Sequence, residues 1–281
     1  MERCNTTSEW QKLQQKWKDE GLRIAFVPTM GALHAGHLSL VKLALEHADR
    51  CVVSIFVNPT QFDNPDDLLK YPRTVDSDIE MLQAEGCHAV FTPNVDEIYP
   101  ESQDTAQVDY GVLTSVLEAE KRPGHYDGVV QVVRRLFQLI QPDVAVVGKK
   151  DYQQLSIIRH LNSSEGIGIE IVGAPLMRDH DGIALSSRNV RLSENGRQTA
   201  LCLSKTLLAM KEQWKDVTPY HLQNWGKYIL HANPDVTLEY LEVVDGKDFE
   251  FKPDWGDYHQ PMALLAAHVD GVRLIDNVEF R

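Results

Sequence analysis

Short apolar, β-branched runs alternate with longer amphipathic stretches through the first half of the chain, the pattern of a parallel sheet with helices packed on its faces. RIAFVP at 23–28 reads as the first strand. Leu38, Val41, Ala44, Leu45 and Ala48 then recur at helical spacing over 37–49, and CVVSIFV at 51–57 returns to strand character. Further units follow: a helix over 75–85 stopped by Gly86, a strand at 89–92, a helix over 128–140, and the strand VAVVG ending at Gly148. A helix over 152–161 then leads to the strand GIEIVGAP at 168–175.

Beyond Pro175 the rhythm changes to two successive helical stretches, 194–215 and 219–232, followed by the alternating strand TLEYLEVV and another at MALLAAHV. The expected fold class is α/β: a Rossmann-like parallel sheet with helices on both faces over residues 1–176, then a smaller α+β domain over 177–281. No internal repeat, low-complexity tract or long linker separates them.

Charge narrows the partners. With 41 acidic against 28 basic residues, the net charge of -13 argues against a chain that grips nucleic acid through bulk positive charge, so any anion site is local. Cys4, Cys51, Cys87 and Cys202 form no CxxC pair, so neither a disulfide framework nor a thiolate zinc site is suggested. The opening MERCNTTSEWQKLQQKWKDEG lacks the apolar core of a signal peptide, and nothing later approaches the roughly 20 apolar residues that span a bilayer. The expectation is a cytoplasmic chain with no membrane or nucleic-acid partner.

VPTMGALHAGH, Val27 to His37, places two histidines on a glycine-bearing loop between the first strand and its helix, where doubly wound sheets bind ligands. Backbone N–H groups and the positive end of the helix dipole attract phosphate there, and Gly31 and Gly36 let the backbone come close. His34 and His37 can then donate to phosphate oxygens as pyrophosphate is displaced. Zinc is the competing reading of HxxH, but no nearby third ligand accompanies the pair; solvated helix-capping residues are the plain alternative.

Three more clusters carry suitable chemistry. In LSSRN, Ser186 and Ser187 offer hydroxyls and Arg188 a permanently charged planar fork, against the bland reading of a surface turn. In VVGKKDYQQL, Lys149, Lys150 and Asp151 follow a strand end at Gly148; a lysine there neutralises phosphate charge, while Asp151 either caps the helix or holds a magnesium-bound water. One of the amides Gln153 and Gln154 is expected to face the same crevice. In FVNPTQF, Asn58 and Gln61 supply neutral amides that suit hydroxyls and carboxylates, although NPTQ alone reads as a turn.

HxGH after a first strand resembles the signature of the nucleotide-binding superfamily that includes class I aminoacyl-tRNA synthetases and small nucleotidylyltransferases, with LSSRN in the place of its second, KMSKS-like signature. Taken together, VPTMGALHAGHLSLV, SIFVNPTQFDNPDDLLKYPRT, RPGHYDGV, VVGKKDYQQL and LSSRN resemble the pantothenate synthetase family in order and approximate spacing over residues 23–191, with RLIDN near the end. That resemblance implies an AMP-forming ligase of pantothenate and coenzyme A biosynthesis. It would join pantoate to β-alanine with ATP and Mg2+ through a pantoyl adenylate, in a cytoplasmic homodimer.

Carried over by matching motifs, the resemblance implies an ATP site of Met30, Gly31, Ala32, Leu33, His34, Ala35, Gly36, His37, Gly148, Lys149, Lys150, Asp151, Met177, Leu185, Ser186, Ser187 and Arg188. His37, His34, Lys150 and Arg188 would be catalytic, with His37 a transition-state hydrogen-bond donor. Gln61, Gln154 and Asn58 would hold pantoate or β-alanine, and magnesium would ride mainly on the ATP phosphates with Asp151 as the candidate ligand. The family's common GEKD reads GKKD here, which raises the local charge by two at Lys149; the roles of Arg122 and His125 stay open.

A nucleotidylyltransferase acting on a phosphorylated acceptor, or a catalytically silent nucleotide-binding module, are the alternatives. The joint presence of HxGH, Lys150 and Arg188 argues against the silent module. Because an acyl adenylate hydrolyses in water, the C-terminal domain carrying Ser186 to Arg188 is expected to close as a lid.

Overall fold

The computed structural model describes residues 1–62, 65–99 and 109–281. They fall into two units, the first of Met1–Thr114, Glu118–Lys149 and Gln153–Pro175, the second of Ser115–Leu117, Lys150–Tyr152 and Leu176–Arg281.

The first unit is built on a parallel sheet of β1 (Glu2–Cys4), β2 (Ile24–Thr29), β3 (Arg50–Ile55), β4 (Ala89–Phe91), β5 (Val144–Gly148) and β6 (Glu170–Ala174), in the order β1-β4-β3-β2-β5-β6. Between the strands run α1 (Thr7–Asp19), α2 (Ala35–His47), the short α3 (Pro65–Lys70), α4 (Val75–Ala84), the short α5 (Val95–Ile98) and α6 (Glu118–Lys121), α7 (His125–Ile140) and α8 (Tyr152–Ser164). Because side chains alternate along a strand, each inner strand feeds two cores. On one face Ile24, Phe26, Val52, Phe91 and Val147 pack with Trp10 of α1, Leu136 and Phe137 of α7, and Ile157, Ile158 and Leu161 of α8. On the other, Ala25, Val27, Val53, Val90 and Val146 pack with Val41 and Ala44 of α2 and Leu82 of α4. Each such large side chain removed from water contributes about 1.5–3 kcal/mol. The expected sheet with helices on both faces is therefore present.

Several boundaries move for local reasons. The second helix begins at Ala35, not residue 37, because His34 is its N-cap. The strand expected over 51–57 stops at Ile55, and the Asn58 side chain then caps a 3-10 turn at Pro59–Gln61. The helix expected from residue 128 starts at His125, after Gly124 with φ +80°. Strand β1 and helix α1 are additions to the expected elements. Helix α1 nonetheless carries a reciprocal capping box between Thr6 and Glu9, and its Trp10 and Trp17 meet edge to face at 5.8 Å.

The second unit holds α9 (Glu194–Gln213), α10 (Pro219–His231) and an antiparallel sheet β7 (Val236–Asp245), β8 (Pro261–Val269), β9 (Val272–Glu279). Leu203, Leu207, Met210, Leu222 and Leu230 of the helices bury against Leu241, Val243, Leu265 and Leu274 of the sheet. Strand β9 is a further addition to the sequence reading. It follows a two-residue Asp270-Gly271 turn with φ of +53° and +70°, the left-handed pair a tight hairpin requires. No helix among the described residues is long and apolar enough to cross a membrane.

Candidate active site

The switch point of the first sheet lies at β2, whose neighbours are β3 and β5. The loop after β2 is left-handed at Gly31 (φ +80°) and Ala32 (φ +50°). A side chain at Gly31 would place a carbon 3.0 Å from an Asp78 carboxylate oxygen, so the glycine is needed for close approach as well as for its φ. Gly36, in contrast, lies in the first turn of α2.

His34 caps α2, with Nδ1 accepting from the Gly36 N–H at 3.1 Å. That acceptor role puts its ring proton on Nε2. The His34 and His37 rings lie 4.1 Å apart between centroids, and the first turn of α2 carries no acidic side chain. The capping contact engages Nδ1 alone. Met30 approaches the next cluster, its Sδ 3.3 Å from Gln61 Nε2.

Asn58 is buried and its amide hydrogens go to Gln61 Oε1 (3.1 Å) and the Gly128 carbonyl (3.1 Å). Its Oδ1 accepts from the hydroxyls of Thr60 (3.1 Å) and Tyr99 (3.0 Å). Asn58 is thus first a scaffold that sets the Gln61 amide. Arg122 and His125 now acquire a place. His125 Nε2 lies 3.0 Å from Arg122 Nη1, which can only donate, so Nδ1 carries the proton and donates to the Gln61 carbonyl at 2.8 Å. The loop RPGHYDG therefore buttresses the backbone of Gln61.

Strand β5 ends at Gly148, and Lys149 to Asp151 form a 3-10 turn before α8. Asp151 is half exposed with its carboxylate 3.6 Å from Lys150 Nζ. Of the two amides that follow, Gln153 is buried and committed, accepting from the Glu118 N–H at 3.1 Å and donating to the Leu113 carbonyl at 2.9 Å. Gln154 is half-buried, so it is the one open to a substrate role.

In the second unit, a hairpin closed by an Arg178–Ala184 bridge and by Leu185 N–H to the Met177 carbonyl (3.0 Å) carries the SSRN turn. Met177 is exposed; Leu185, Ser186, Ser187 and Arg188 are half-buried, with Ser186 capping the 3-10 turn Ser187–Arg191 through the Arg188 N–H at 3.2 Å. The turn is capped, and Val190 within it is exposed. Asp179, His180 and Asp181 group within 4.8 Å of one another as metal ligands would. However, Arg197 donates to Asp181 at 2.8 Å and Asp179 at 2.7 Å, so the carboxylates serve an ion-pair network. Hydrogen bonds from the His180 ring and backbone, then Arg197, lower the Asp179 carboxyl to about 2.

Sequence reasoning missed Asp78, whose carboxylate holds the loop after β2, and the Asp276-Asn277 pair of β9. In the sequence RLIDN is only a family-like string; the signal available is a buried-strand pattern interrupted by Asp276 where an apolar residue belongs. The DNPDD part of the second motif lies partly outside the described residues.

The fold is α/β, with a parallel sheet whose strand order reverses beside β2, the position at which sheets of this kind bind ligands. The sequence matches the family model described as Pantoate-beta-alanine ligase over residues 2–279. It is 45% identical to the pantothenate synthetase of Phocaeicola vulgatus over 100% of both chains, and 41% identical to that of Porphyromonas gingivalis over 100% of this chain and 99% of the relative. The solved pantothenate synthetase of Thermus thermophilus superposes with a TM-score of 0.92 at 39% identity, covering 100% of this chain and 99% of that one. A Francisella tularensis pantoate-beta-alanine ligase, solved with Beta-gamma ATP and Beta-alanine, gives 0.83 at 31% identity over 100% and 98%. The chain belongs to the pantoate-beta-alanine ligase family.

Proposed function

We propose that this ligase condenses pantoate with β-alanine using ATP, giving pantothenate, AMP and pyrophosphate. The observation that carries the reading is the His34–His37 pair on the first turn of α2, at the carboxyl end of the central strand, in a chain of this family. A free carboxylate resists amine attack because oxide would have to leave. Attack of the pantoate carboxylate on the α-phosphorus of ATP, expelling pyrophosphate, gives an acyl adenylate whose leaving group is AMP. The β-alanine amine then adds to the carbonyl, loses a proton and expels AMP.

In this reading His34 and His37 donate to phosphate oxygens as negative charge shifts to pyrophosphate, and Lys150 and Arg188 neutralise it. Met30 to Leu33, Ala35, Gly36, Gly148, Lys149, Met177, Leu185, Ser186 and Ser187 complete the nucleotide site. Gln61 and Gln154 hold pantoate, with Gln61 also near β-alanine; Asn58 orients Gln61 and stands beside the substrate. Asp151, which offers one half-exposed carboxylate, would help to hold magnesium, and the ion would neutralise phosphate charge. The domain over 177–281 acts as a lid that excludes water from the adenylate, and the enzyme is a cytoplasmic homodimer.

Pantoate-dependent exchange of labelled pyrophosphate into ATP, without β-alanine, tests the reading. The natural chain exchanges; His37→Ala and Lys150→Ala lose exchange, and chelating magnesium abolishes it. Absence of exchange in the natural chain with ATP binding intact would overturn the adenylate route and favour nucleotidyl transfer. Locking the two domains apart should abolish adenylation; full activity would refute the lid. Light scattering at twice the chain mass supports the dimer, and at the chain mass opposes it.

A further inference from the structure

Strand β9 carries a buried carboxylate in the wrong place for a core strand. Its apolar stripe of Val272, Leu274 and Val278 runs through position 276, where the residue is Asp276, 5% exposed. Arg178 meets it with a two-pronged contact, Nη1 to Oδ2 at 2.7 Å and Nη2 to Oδ1 at 3.0 Å, and Nη2 also reaches the Asn277 carbonyl at 3.3 Å. Burial pushes the Asp276 carboxyl up, opposed first by Arg178 and also by the charge of Lys150.

The next residue turns the other way. Asn277 is also buried, and its side-chain N–H donates to the backbone carbonyl of Lys150 at 2.8 Å. Its backbone N–H donates to Asp276 Oδ1 at 2.7 Å, which locks the two residues into one arrangement. Arg178 begins the hairpin that carries Leu185 to Arg188. Beyond that hairpin, Ser186, Asn189 and Asp276 line one cavity of only about 10 Å³, so the SSRN turn sits over Asp276 with little slack. Lys150, Arg178, the SSRN turn and β9 all belong to the second unit.

We propose that Asp276 and Asn277 are positioning residues: with Arg178 they form a bracket that fixes the backbone at Lys150 relative to the hairpin bearing Ser186 and Arg188. The inference rests on the assignment of Lys150 and Arg188 to the ATP phosphates. A buried ion pair alone is poor evidence of a stability role, since apolar residues of similar volume often serve as well. What a planar fork and a directional amide add is geometry. Two cations must meet one triphosphate at a set spacing, and an error of the order of 1 Å in such a placement costs roughly a hundredfold in rate.

The test is a double-mutant cycle read by binding of a non-hydrolysable ATP analogue to the full chain, with pyrophosphate exchange and thermal melting alongside. Asn277→Ala should weaken analogue binding roughly tenfold and lower exchange at saturating substrate by roughly ten- to a hundredfold, leaving the KM for pantoate unchanged. In a Lys150→Ala background the Asn277→Ala penalty on binding should vanish. An undiminished penalty there would mean that Asn277 acts elsewhere and would overturn the proposal. Should Lys150→Ala itself leave binding and exchange intact, the assignment of Lys150 fails instead, a distinguishable result. If Asn277→Ala melts before it can be assayed, Arg178→Lys keeps the charge and loses the fork. It should show the same loss of exchange at unchanged KM for pantoate, and wild-type exchange in that variant would sink the bracket.

Discussion

The carboxylate of Asp78, on α4, accepts the backbone N–H groups of Ala32 and Leu33, both at 2.9 Å. Asp78 is fully buried and Ala32 is held at φ +50°, so a distant helix imposes the shape of the loop that precedes His34. Thr74 completes the anchor from one turn earlier, its hydroxyl donating to Asp78 at 3.1 Å. Asp78→Ala leaves two donors without their acceptor and should cost about 2–4 kcal/mol. Urea unfolding measures the loss, and pyrophosphate exchange should fall with it because the histidine-bearing helix start loses its support. Equal stability in the variant would show that water replaces the carboxylate.

Gly128 gives a steric counterpart at the Gln61 turn. A β-carbon there would stand 2.3 Å from the Thr60 carbonyl oxygen and 2.7 Å from the Gln61 nitrogen, and both are backbone atoms that cannot swing aside. Gly128→Ala should therefore destabilise by about 1–3 kcal/mol and raise the KM for pantoate, because the turn bearing Gln61 must move. A normal KM alongside the stability loss would remove Gln61 from the pantoate site.

The helix cap of α1 predicts a purely structural effect. Thr6→Ala removes the acceptor for the Glu9 N–H, seen at 3.2 Å, and should cost about 1 kcal/mol with exchange unaltered. Calorimetry of the variant checks the first part; a fall in exchange beyond the stability loss would link α1 to the site.

Acid sensitivity should be traceable to Asp245. Burial pushes its carboxyl up, but backbone N–H groups of His259, Lys247 and Gln260, with the His259 ring, outweigh burial and hold it below the usual carboxylate range. The unfolded chain then takes up the proton more readily than the folded one, so stability rises with pH across this interval. Its contribution is complete above the unfolded value of about 3.9 and is lost as pH falls through the lower folded value. Asp245→Asn should be less stable at pH near about 6 and should lose less stability on acidification. Parallel stability curves for the two proteins, followed by urea unfolding, would contradict this.

The parallel sheet was legible in the sequence, because strands buried on both faces must be apolar at successive positions, as Ile24 to Val27 and Val144 to Val147 are. The candidate groups that follow the parallel strands were equally legible, since imidazole, ammonium and amide groups are read directly as letters: His34, His37, Lys150 and Gln61. What the sequence did not disclose was which polar side chains hold those groups in place. Asp78 lies 46 residues from Ala32, and Asn277 lies 127 from Lys150. Hydrogen bonds of such separation leave no local periodicity. That Asn58 and Gln153 turn inward while Gln154 is half-exposed follows from the folded packing, because neighbouring amides look alike in sequence and differ only in which buried donors and acceptors surround them.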